Sequence, residues 1–296
     1  MRRITKRIAF FSILFAMCSL GKAQENKPSE KKTDTLEPVL NTFAGNYILD
    51  NQTVMVPAKG ALDLAIQHRF GTADNGYSDM FGLFAPANIR LSAAYTPINK
   101  LQVGLGICKQ NMTWDGTIKY AIHVQKVHGC PISISYFGDM ALDTRPKDGN
   151  FVTNNDRLTY FNQLIFASKI SEKLSIQLAP SITYFNNVPG YYNSAGQLKS
   201  ELWHAHSAIA ASACYLLTDV MGVMVNVDQP LTTHPENNPH PNISFGLQFA
   251  TTTHTFQIFA GNYQSIIPQY NNLLNQNDYT KGKFLIGFNI TKRFYL

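Results

Sequence analysis

The C-terminal stretch KGKFLIGFNITKRFYL, residues 281–296, decides the fold of this chain. From Phe284 to Ile290 every second residue is apolar, and the residues between them are mostly small or polar. Successive side chains of a β-strand point to opposite faces, so this pattern predicts a strand with one apolar and one polar face. A transmembrane β-barrel turns such faces toward lipid and toward its lumen. We therefore expect residues 284–296 to be the closing strand of a membrane barrel.

The same alternation begins at Gly60 and recurs along the chain. In the first segment Leu64 and Ile66 share one face, while Asp63 and Gln67 share the other. Counting such segments predicts an all-β, antiparallel, up-and-down transmembrane barrel of twelve strands. The predicted strands are 60–70, 88–95, 101–108, 114–125, 131–140, 158–170, 174–184, 201–217, 221–227, 243–249, 256–260 and 284–296, of which 131–140, 158–170 and 201–217 alternate least regularly.

The predicted connections alternate between short and long, which is typical of outer-membrane barrels. An even number of strands also places both ends of the barrel domain on one side, expected to be periplasmic. The segment 111–113 is short where a long connection is expected. The short connections are 97–99, 127–130, 171–172, 218–219 and 252–253, and the long ones are 72–86, 141–156, 187–200, 230–240 and 264–280.

Residues 42–57 precede the regular pattern and predict a short hairpin. Asp50 and Asn51 would form its turn, because these residues tolerate the positive φ of hairpin turns. The hairpin could add two strands to the wall, giving fourteen, or lie below or inside the barrel. Residues 24–41 are charged and nearly free of bulky apolar side chains, which predicts a disordered periplasmic lead-in to the barrel domain at 42–296.

The N-terminus predicts a secretory signal peptide, residues 1–23. Four basic residues precede an apolar run, and Gly21 and Ala23 supply the small residues that a signal peptidase requires. The alternative, lipid attachment at Cys18, lacks a small residue before the cysteine. Removing this segment from the 25 basic and 19 acidic residues leaves 20 basic and 19 acidic ones, so the net charge falls from +6 to +1. This balance does not predict nucleic-acid binding.

A resemblance supports the same fold. The segments TFAGNYILDNQTVMVP, KGALDLAIQHRFG, MFGLFAPANIRLSAAYTP and LQVGLG, within residues 42–106, resemble the opening half of an uncharacterised family of outer-membrane β-barrel proteins from Gram-negative bacteria. The resemblance implies a barrel in the outer membrane of a Gram-negative bacterium. It implies no catalytic residues.

Several ionic residues are predicted to point into the barrel. Arg69, Arg90 and Lys119 lie on the inward face of neighbouring strands, and Asp63 and Asp115 could answer their charges. The alternatives are a charge-paired interior and a constriction that selects solutes by charge. The candidate pore-lining residues are Asp63, Arg69, Arg90, Asp115, Lys119, His123, His204 and His206.

The histidines raise the question of metal binding or catalysis. His204 and His206 are two residues apart on one predicted strand, so both imidazoles should face the lumen. Neither they nor the loop 233–241, with two further histidines and a glutamate, offers a complete ligand set. A barrel phospholipase would need a hydroxyl and a histidine on one face, whereas His206 and Ser207 are adjacent. We therefore predict no metal, no cofactor and no enzymatic activity.

The leading hypothesis is a narrow porin-like channel for small polar or anionic solutes. A barrel of about eight strands is filled by its own side chains, whereas one of about sixteen leaves an aqueous channel, so at twelve strands the size of the inward residues decides. Many predicted inward residues are small, which leaves room for water. The alternative is a non-conducting barrel whose outer loops bind a ligand or partner, and a second alternative is a barrel enzyme acting on lipid. Expected partners are outer-membrane lipid and the barrel-assembly machinery, which would engage the C-terminal strand.

Overall fold

The structure is a computed structural model that describes residues 37–147, 149 and 151–296, so the predicted signal peptide and most of the lead-in lie outside the described residues. Within this part of the chain, twelve antiparallel strands close into a barrel. No helix among the described residues is long and apolar enough to cross a membrane. The strands are β1 (Tyr47–Ile48), β2 (Asn51–Gln52), β3 (Ala61–Thr72), β4 (Asn88–Ile98), β5 (Leu101–Cys108), β6 (Thr113–His123), β7 (Ser133–Leu142), β8 (Leu158–Lys169), β9 (Leu174–Phe185), β10 (Gly190–Tyr192), β11 (Leu198–Ser200), β12 (Ala205–Leu216), β13 (Met221–Pro230), β14 (Asn242–Ala250), β15 (His254–Gly261) and β16 (Leu285–Tyr295).

The closing strand was predicted correctly. β16 pairs antiparallel with β3, and Phe288 lies opposite His68. The other wall strands pair in chain order, with β9 joined directly to β12 across the small loop hairpin β10–β11. Because every wall strand has two neighbours, the barrel has no open sheet edge. The pairing therefore gives twelve strands, as the alternation from Gly60 predicted.

The predicted inward and outward faces are also confirmed. On β3, Leu64 and Ile66 are exposed on the outer face, while Gln67 and Arg69 are buried inside. The less regular segment that forms β7 follows the same rule, since Ser135 is buried and Met140 is exposed. An apolar exterior around a buried polar interior is the pattern that lipid imposes on a barrel.

The two ends of the barrel differ in their connections, as predicted. The turn end carries the connections 99–100, 124–132, 170–173, 217–220 and 251–253, together with both ends of the barrel domain. The loop end carries 73–87, 109–112, 143–157, 186–204, 231–241 and 262–284. The connection 109–112 is short, as the sequence indicated. Four short 3-10 helices lie in loop-end connections of the described chain: Ala73–Asp79, Gln110–Met112, Asn155–Arg157 and Tyr279–Lys281.

Residues 42–57 form a hairpin inside the barrel, which we call the lumen hairpin. β1 and β2 pair only with each other, so the hairpin adds nothing to the wall. Its turn is one residue earlier than predicted, because Ile48 pairs with Asn51 and Leu49 carries the positive φ of 61°. The buried side chain of Leu49 packs in an apolar cluster with wall residues such as Phe161, and this contact fixes the turn.

The lead-in is partly ordered. The amide of Val39 donates to the carbonyl of Gln125 at 2.7 Å, and the amide of Val127 donates to the carbonyl of Glu37 at 3.0 Å. Residues 37–39 thus lie against the connection 124–132 at the turn end, in contrast to the disorder predicted for the whole segment 24–41. The chain enters the lumen from this end.

One α-helix, α1 (Pro268–Leu274), enters the barrel from the opposite side. It belongs to the loop-end connection 262–284 and starts with a proline at its first turn, a position that tolerates proline because the first amides of a helix lack helical partners. Most of its residues are buried, and it contacts β8, β9, β12 and β13. Two elements of the described chain therefore enter the lumen, one from each end.

Candidate functional site

The predicted inward arginine Arg69 lies fully buried in the lumen. Its Nη1 donates to Oδ1 of Asn289 at 3.0 Å and to the carbonyl of His68 at 2.9 Å. The guanidinium carbon lies 4.5 Å from the centroid of the Phe259 ring, a cation–π distance. Arg69 is thus held by neutral and aromatic groups, and no carboxylate of the described residues lies within ion-pair distance of it, in contrast to the predicted charge pairing.

Arg90 and Asp115 form the charge pair that the sequence suggested. The Nε of Arg90 donates to Oδ1 of Asp115 at 2.9 Å, and Nη2 donates to the second carboxylate oxygen. Nη1 donates to Oε1 of Gln67 at 2.8 Å and to the hydroxyl of Tyr47 in the lumen hairpin at 3.3 Å. This bidentate pair contacts the hairpin and does not border an open passage.

Lys119 and Asp63 also face inward, and each contacts the lumen hairpin. Nζ of Lys119 donates to the carbonyl of Thr53 at 3.4 Å. Asp63 accepts a hydrogen bond of 2.7 Å from Nδ2 of Asn46 and a bidentate pair from Arg293 at 2.7 and 2.9 Å. Arg293 was not predicted as a partner, because it is adjacent to Asp63 only when the barrel closes.

Two further inward aspartates escaped the sequence analysis. Asp139 is on the irregular segment that forms β7, and Asp228 lies one residue beyond the predicted strand 221–227. Both are buried in the lumen. Four aspartates of the described wall now stand against the basic residues: Asp63, Asp115, Asp139 and Asp228 against Arg69, Arg90, Lys119 and Arg293. This balance gives no physical basis for the predicted preference for anions.

The lumen hairpin is bonded around most of the barrel circumference. Side chains from ten of the twelve described wall strands reach it: Asp63, Arg90, Gln102, Lys119, Ser135, Gln163, Gln177, Asp228, Gln257 and Asn289. Many are amide or hydroxyl groups that bond the hairpin backbone. For example, Nδ2 of Asn289 donates to the carbonyl of Leu49 at 2.6 Å. Buried polar groups require such partners, so the wall and hairpin satisfy each other.

The lumen contains a small internal cavity. A cavity of about 20 Å³ lies beside the hairpin, lined by Asp50, Gln67 and Asp139 among others. This is about the volume of one water molecule. Small inward residues such as Ser135 do leave room, as predicted, but the hairpin fills it: the hydroxyl of Ser135 donates to the carbonyl of Val54 at 2.7 Å.

The helix α1 closes the lumen from the loop end. Its inward side is polar: Nε2 of Gln269 donates to Asp139 at 2.8 Å, and Nδ2 of Asn271 donates to Asp50 at 2.8 Å. Its other side is apolar, with Tyr270 and Leu273 in a cluster with Phe185. The helix therefore separates the hairpin from the loop-end surface.

The two predicted lumen histidines have different environments. His206 is buried, and its Nδ1 lies 2.9 Å from Nε2 of His234 in the connection 231–241. His204 precedes β12, is exposed, and stacks on the outward Tyr184 with ring centroids 5.9 Å apart. They do not share a face, because regular strand geometry begins only at Ala205. The predicted residue His123 lies half-buried at the turn end of β6.

His206 and His234 form a hydrogen-bonded pair with assigned roles. The amide of Trp203 donates to Nδ1 of His234 at 2.9 Å, so neutral His234 carries its proton on Nε2 and donates to His206. The sequence analysis did not pair these two histidines, because it considered His206 together with His204 and considered the histidines of the loop 233–241 separately. The described residues contain no group of three or more His, Cys, Asp or Glu side chains placed to hold a metal.

The loop end also contains an open cavity of about 550 Å³, which we call the basin. It lies between the connections 143–157 and 186–204, above α1. Apolar side chains including Phe185, Leu202, Tyr270 and Leu273 line it, together with the guanidinium groups of Arg145 and Arg157. Sequence reasoning did not find this site, because its residues come from four loop-end connections and two wall strands that only the barrel brings together.

Comparison with known proteins places this architecture in a family. Residues 43–294 match the family model described as "Membrane bound beta barrel domain (DUF5777)". No curated protein matches the chain. This match includes the lumen hairpin as well as the twelve wall strands.

Solved structures with a similar backbone are distant in sequence. The NanC porin has 10% identity and a TM-score of 0.46, with 79% of this chain and 99% of that chain covered. An outer membrane channel from Pseudomonas putida F1 has 11% identity and a TM-score of 0.44, with coverage of 81% and 97%. The KdgM porin has 8% identity and a TM-score of 0.43, with coverage of 80% and 99%. At this level of similarity they carry no argument about function.

Proposed function

The chain belongs to this family of membrane-bound β-barrel domains, and we propose that it is an outer-membrane barrel closed by its lumen hairpin, which binds a ligand at its loop end. This is the non-conducting alternative from the sequence. The single observation that carries it is the lumen hairpin, bonded to side chains from ten of the described wall strands. A solute would have to displace these bonds to pass.

The burial pattern favours a permanent closure over a loose obstruction. Phe43, Ile48, Leu49 and Val54 of the hairpin pack with wall side chains in one apolar cluster. Burying such side chains stabilises the inserted state by about 1.5–3 kcal/mol each. The hairpin is thus fixed by apolar packing as well as by hydrogen bonds.

A gated channel is the second candidate, and one observation favours it. The lumen hairpin is tethered at both ends to the turn end, through residues 37–39 and through the bond from the Gly60 amide to the Thr96 carbonyl at 2.9 Å. It could therefore leave the barrel on the side from which it enters, without crossing the membrane. Removal would open the porin-like route for small polar solutes that the sequence suggested.

The described arrangement does not favour a lipid-cleaving enzyme. His206 is bonded to His234, and the hydroxyl of Ser207 lies 2.9 Å from the hydroxyl of Thr232. The nearby hydroxyl and imidazole therefore have other partners and do not form a nucleophile–base pair.

We propose an outer-membrane location from the predicted signal peptide and the apolar outer face of the wall. We expect the mature chain to start at Gln24 and to fractionate with the outer membrane, after the assembly machinery has engaged β16. N-terminal sequencing of the membrane fraction tests this. Recovery of the protein from the soluble periplasm would contradict it.

Solute retention tests closure in the intact protein. Full-length protein, refolded into liposomes loaded with radiolabelled sucrose, should retain the sugar as protein-free liposomes do. Liposomes containing an open porin serve as the positive control. Release at the rate of the porin control would contradict a closed barrel and support the channel hypothesis.

A further inference from the structure

We propose that the basin is a binding site for a small amphipathic molecule with a planar apolar body and a carboxylate group. The proposal rests on the proposed function and names the ligand class for its loop end. A cavity of about 550 Å³ lies within the 300–1,000 Å³ typical of small-molecule sites. Its apolar floor and its polar groups specify the two parts of the ligand.

The floor of the basin is aromatic and preformed. The rings of Phe185 and Tyr270 lie with centroids 5.7 Å apart, and Leu202 and Leu273 are buried beside them. Tyr270 lies on α1, whose inward side is fixed by Gln269 and Asn271. The helix and its aromatic ring are thus held in place, and a flat apolar group would pack on the part of this floor that faces the basin.

Arg157 supplies the hydrogen-bond donors that would bind the carboxylate of the ligand. Its Nη1 donates to the carbonyls of Asp143 and Arg145 at 2.9 and 2.6 Å, and its guanidinium carbon lies 4.5 Å from the centroid of the Phe151 ring. These contacts orient the group. Its Nε and Nη2 have no hydrogen bond to any residue described here, so this edge can bind a carboxylate in the bidentate manner of arginine.

The neighbouring acidic groups are already occupied. Asp143 accepts a bidentate pair from Arg145, with Nε at 3.0 Å and Nη2 at 2.6 Å from its oxygens, and this pairing raises the pKa of Arg145. Asp156 accepts hydrogen bonds from the amides of Val152 and Thr153 at 2.9 and 2.8 Å. The two aspartates therefore balance the formal charges of the two arginines, but Arg157 keeps an N–H edge that no carboxylate among the described residues occupies, and this edge favours a carboxylate group on the ligand.

Thr159 is an independent sign of a ligand. It lines the basin at the start of β8, is only 4% exposed, and its Oγ1 has no hydrogen-bond partner among the described residues. A buried hydroxyl usually has a partner. A polar atom of the bound molecule would provide one, next to the aromatic floor.

The test uses indole-3-acetate as the probe and indole-3-acetamide as its neutral analogue. Both are titrated calorimetrically into the full-length protein refolded in detergent micelles, with empty micelles as the blank. We expect the acetate to bind at least about tenfold more tightly than the amide, because a hydrogen bond to a charged group is stronger than a neutral one. Equal affinities, or no saturable binding of either probe, would overturn the proposal.

Variants of the basin measure the contributions of Arg157 and Thr159 to binding of the probe separately. Arg157→Gln should abolish the preference for the acetate. Thr159→Val should weaken binding of the acetate several-fold, whereas the matched change Thr183→Val should not, because Thr183 is equally buried and unbonded among the described side chains but does not line the basin. An unchanged preference in Arg157→Gln, or equal effects of the two threonine variants, would refute the site.

A further pair of variants covers the case in which Arg157→Gln perturbs its loop. Leu274→Trp should fill the basin and block the probe, whereas Leu198→Trp on β11 should leave binding unchanged. The refolded fraction is checked for each variant by its heat-modifiable migration in gels. A protein that retains sucrose but fails to bind the probe would refute this site while leaving the closed barrel intact.

Discussion

The side-chain amide of Asn271 donates a hydrogen bond of 2.8 Å to the carboxylate of Asp50. Asn271 lies on α1, which enters from the loop end, and Asp50 lies in the turn of the lumen hairpin, which enters from the turn end. The two inserted elements therefore meet inside the barrel. Nδ2 of Asn226 on β13 donates to the same carboxylate at 2.9 Å and fixes it to the wall.

The contact between Asp50 and Asn271 should couple the stability of the hairpin to that of the helix. Asp50→Ala, Asn271→Ala and the double variant form a double-mutant cycle. We expect a coupling energy of about 1–3 kcal/mol, because a buried hydrogen bond to a carboxyl group is lost only once in the double variant. Urea unfolding of the refolded proteins measures it, and additive effects of the two substitutions would show that the elements do not interact.

The closing strand offers a test of register. Phe288→Arg places a charge on the lipid-facing row and should cost about 2–4 kcal/mol. From the sequence alone, Asn289→Arg should be mild, because Asn289 faces the lumen. The structure corrects this expectation. Asn289 is buried, donates a hydrogen bond to the lumen hairpin and accepts one from Arg69. An arginine at this position would therefore clash with the hairpin and would lie beside the positive charge of Arg69.

Deletion of residues 42–57 distinguishes the effect of a clash with the lumen hairpin from the effect of placing a charge in lipid. In a hairpin-less variant, Asn289→Arg should become much milder, since the side chain can occupy the emptied lumen, whereas Phe288→Arg should cost as much as before. Folding yields in lipid vesicles report the difference. Equal damage from Asn289→Arg with and without the hairpin would contradict the position assigned to residues 42–57.

The pair formed by His206 and His234 should make the connection 231–241 sensitive to acid. Burial lowers the pKa of the His234 imidazole from its usual value of about 6.5. Below pH ~6.5 the imidazole of His234 therefore binds a proton more readily in the released loop than in the packed loop. The stabilisation is complete above pH ~6.5 and decreases as the pH falls toward the lowered pKa. The protection factor of the Trp203 amide against hydrogen exchange, which corrects for the slower intrinsic exchange in acid, should therefore decrease between pH 7 and pH 5.

His234→Asn is the matched control for that measurement. Its side-chain oxygen can accept the hydrogen bond from the Trp203 amide as Nδ1 does, but it does not titrate. The loss of protection in acid should therefore disappear. Its persistence in the variant would show that another group causes the effect.

The wall of this barrel can be predicted from sequence because alternate residues of each strand face the lipid, which requires apolar side chains, and the lumen, which accepts polar ones. Phe288 and Asn289 are adjacent, and their polarity alone assigns their faces. The short and long connections then give the strand order. The irregular segment that forms β7 shows the limit, since Asp139 was missed there.

The contents of the lumen could not be predicted in the same way. Residues 42–57 could have joined the wall or entered the lumen. The outcome depends on contacts with residues far along the chain, such as Asn46 with Gln102 and Asn51 with Asp228. One signal was present: inward positions carry many amides, such as Gln163 and Gln177, which need partners once they are buried. The pairing of His206 with His234 likewise depends on a loop whose path the sequence does not specify.

Single-channel recording in planar bilayers tests the central claim, closure by the lumen hairpin, most directly. The intact mature protein, and a control that lacks only residues 24–36, should give no conductance steps. The variant that lacks residues 42–57 should give stable steps, since twelve strands lined by small residues leave an aqueous path once the hairpin is removed. Stable steps of the same size in the intact protein and in the hairpin-less variant would contradict the account.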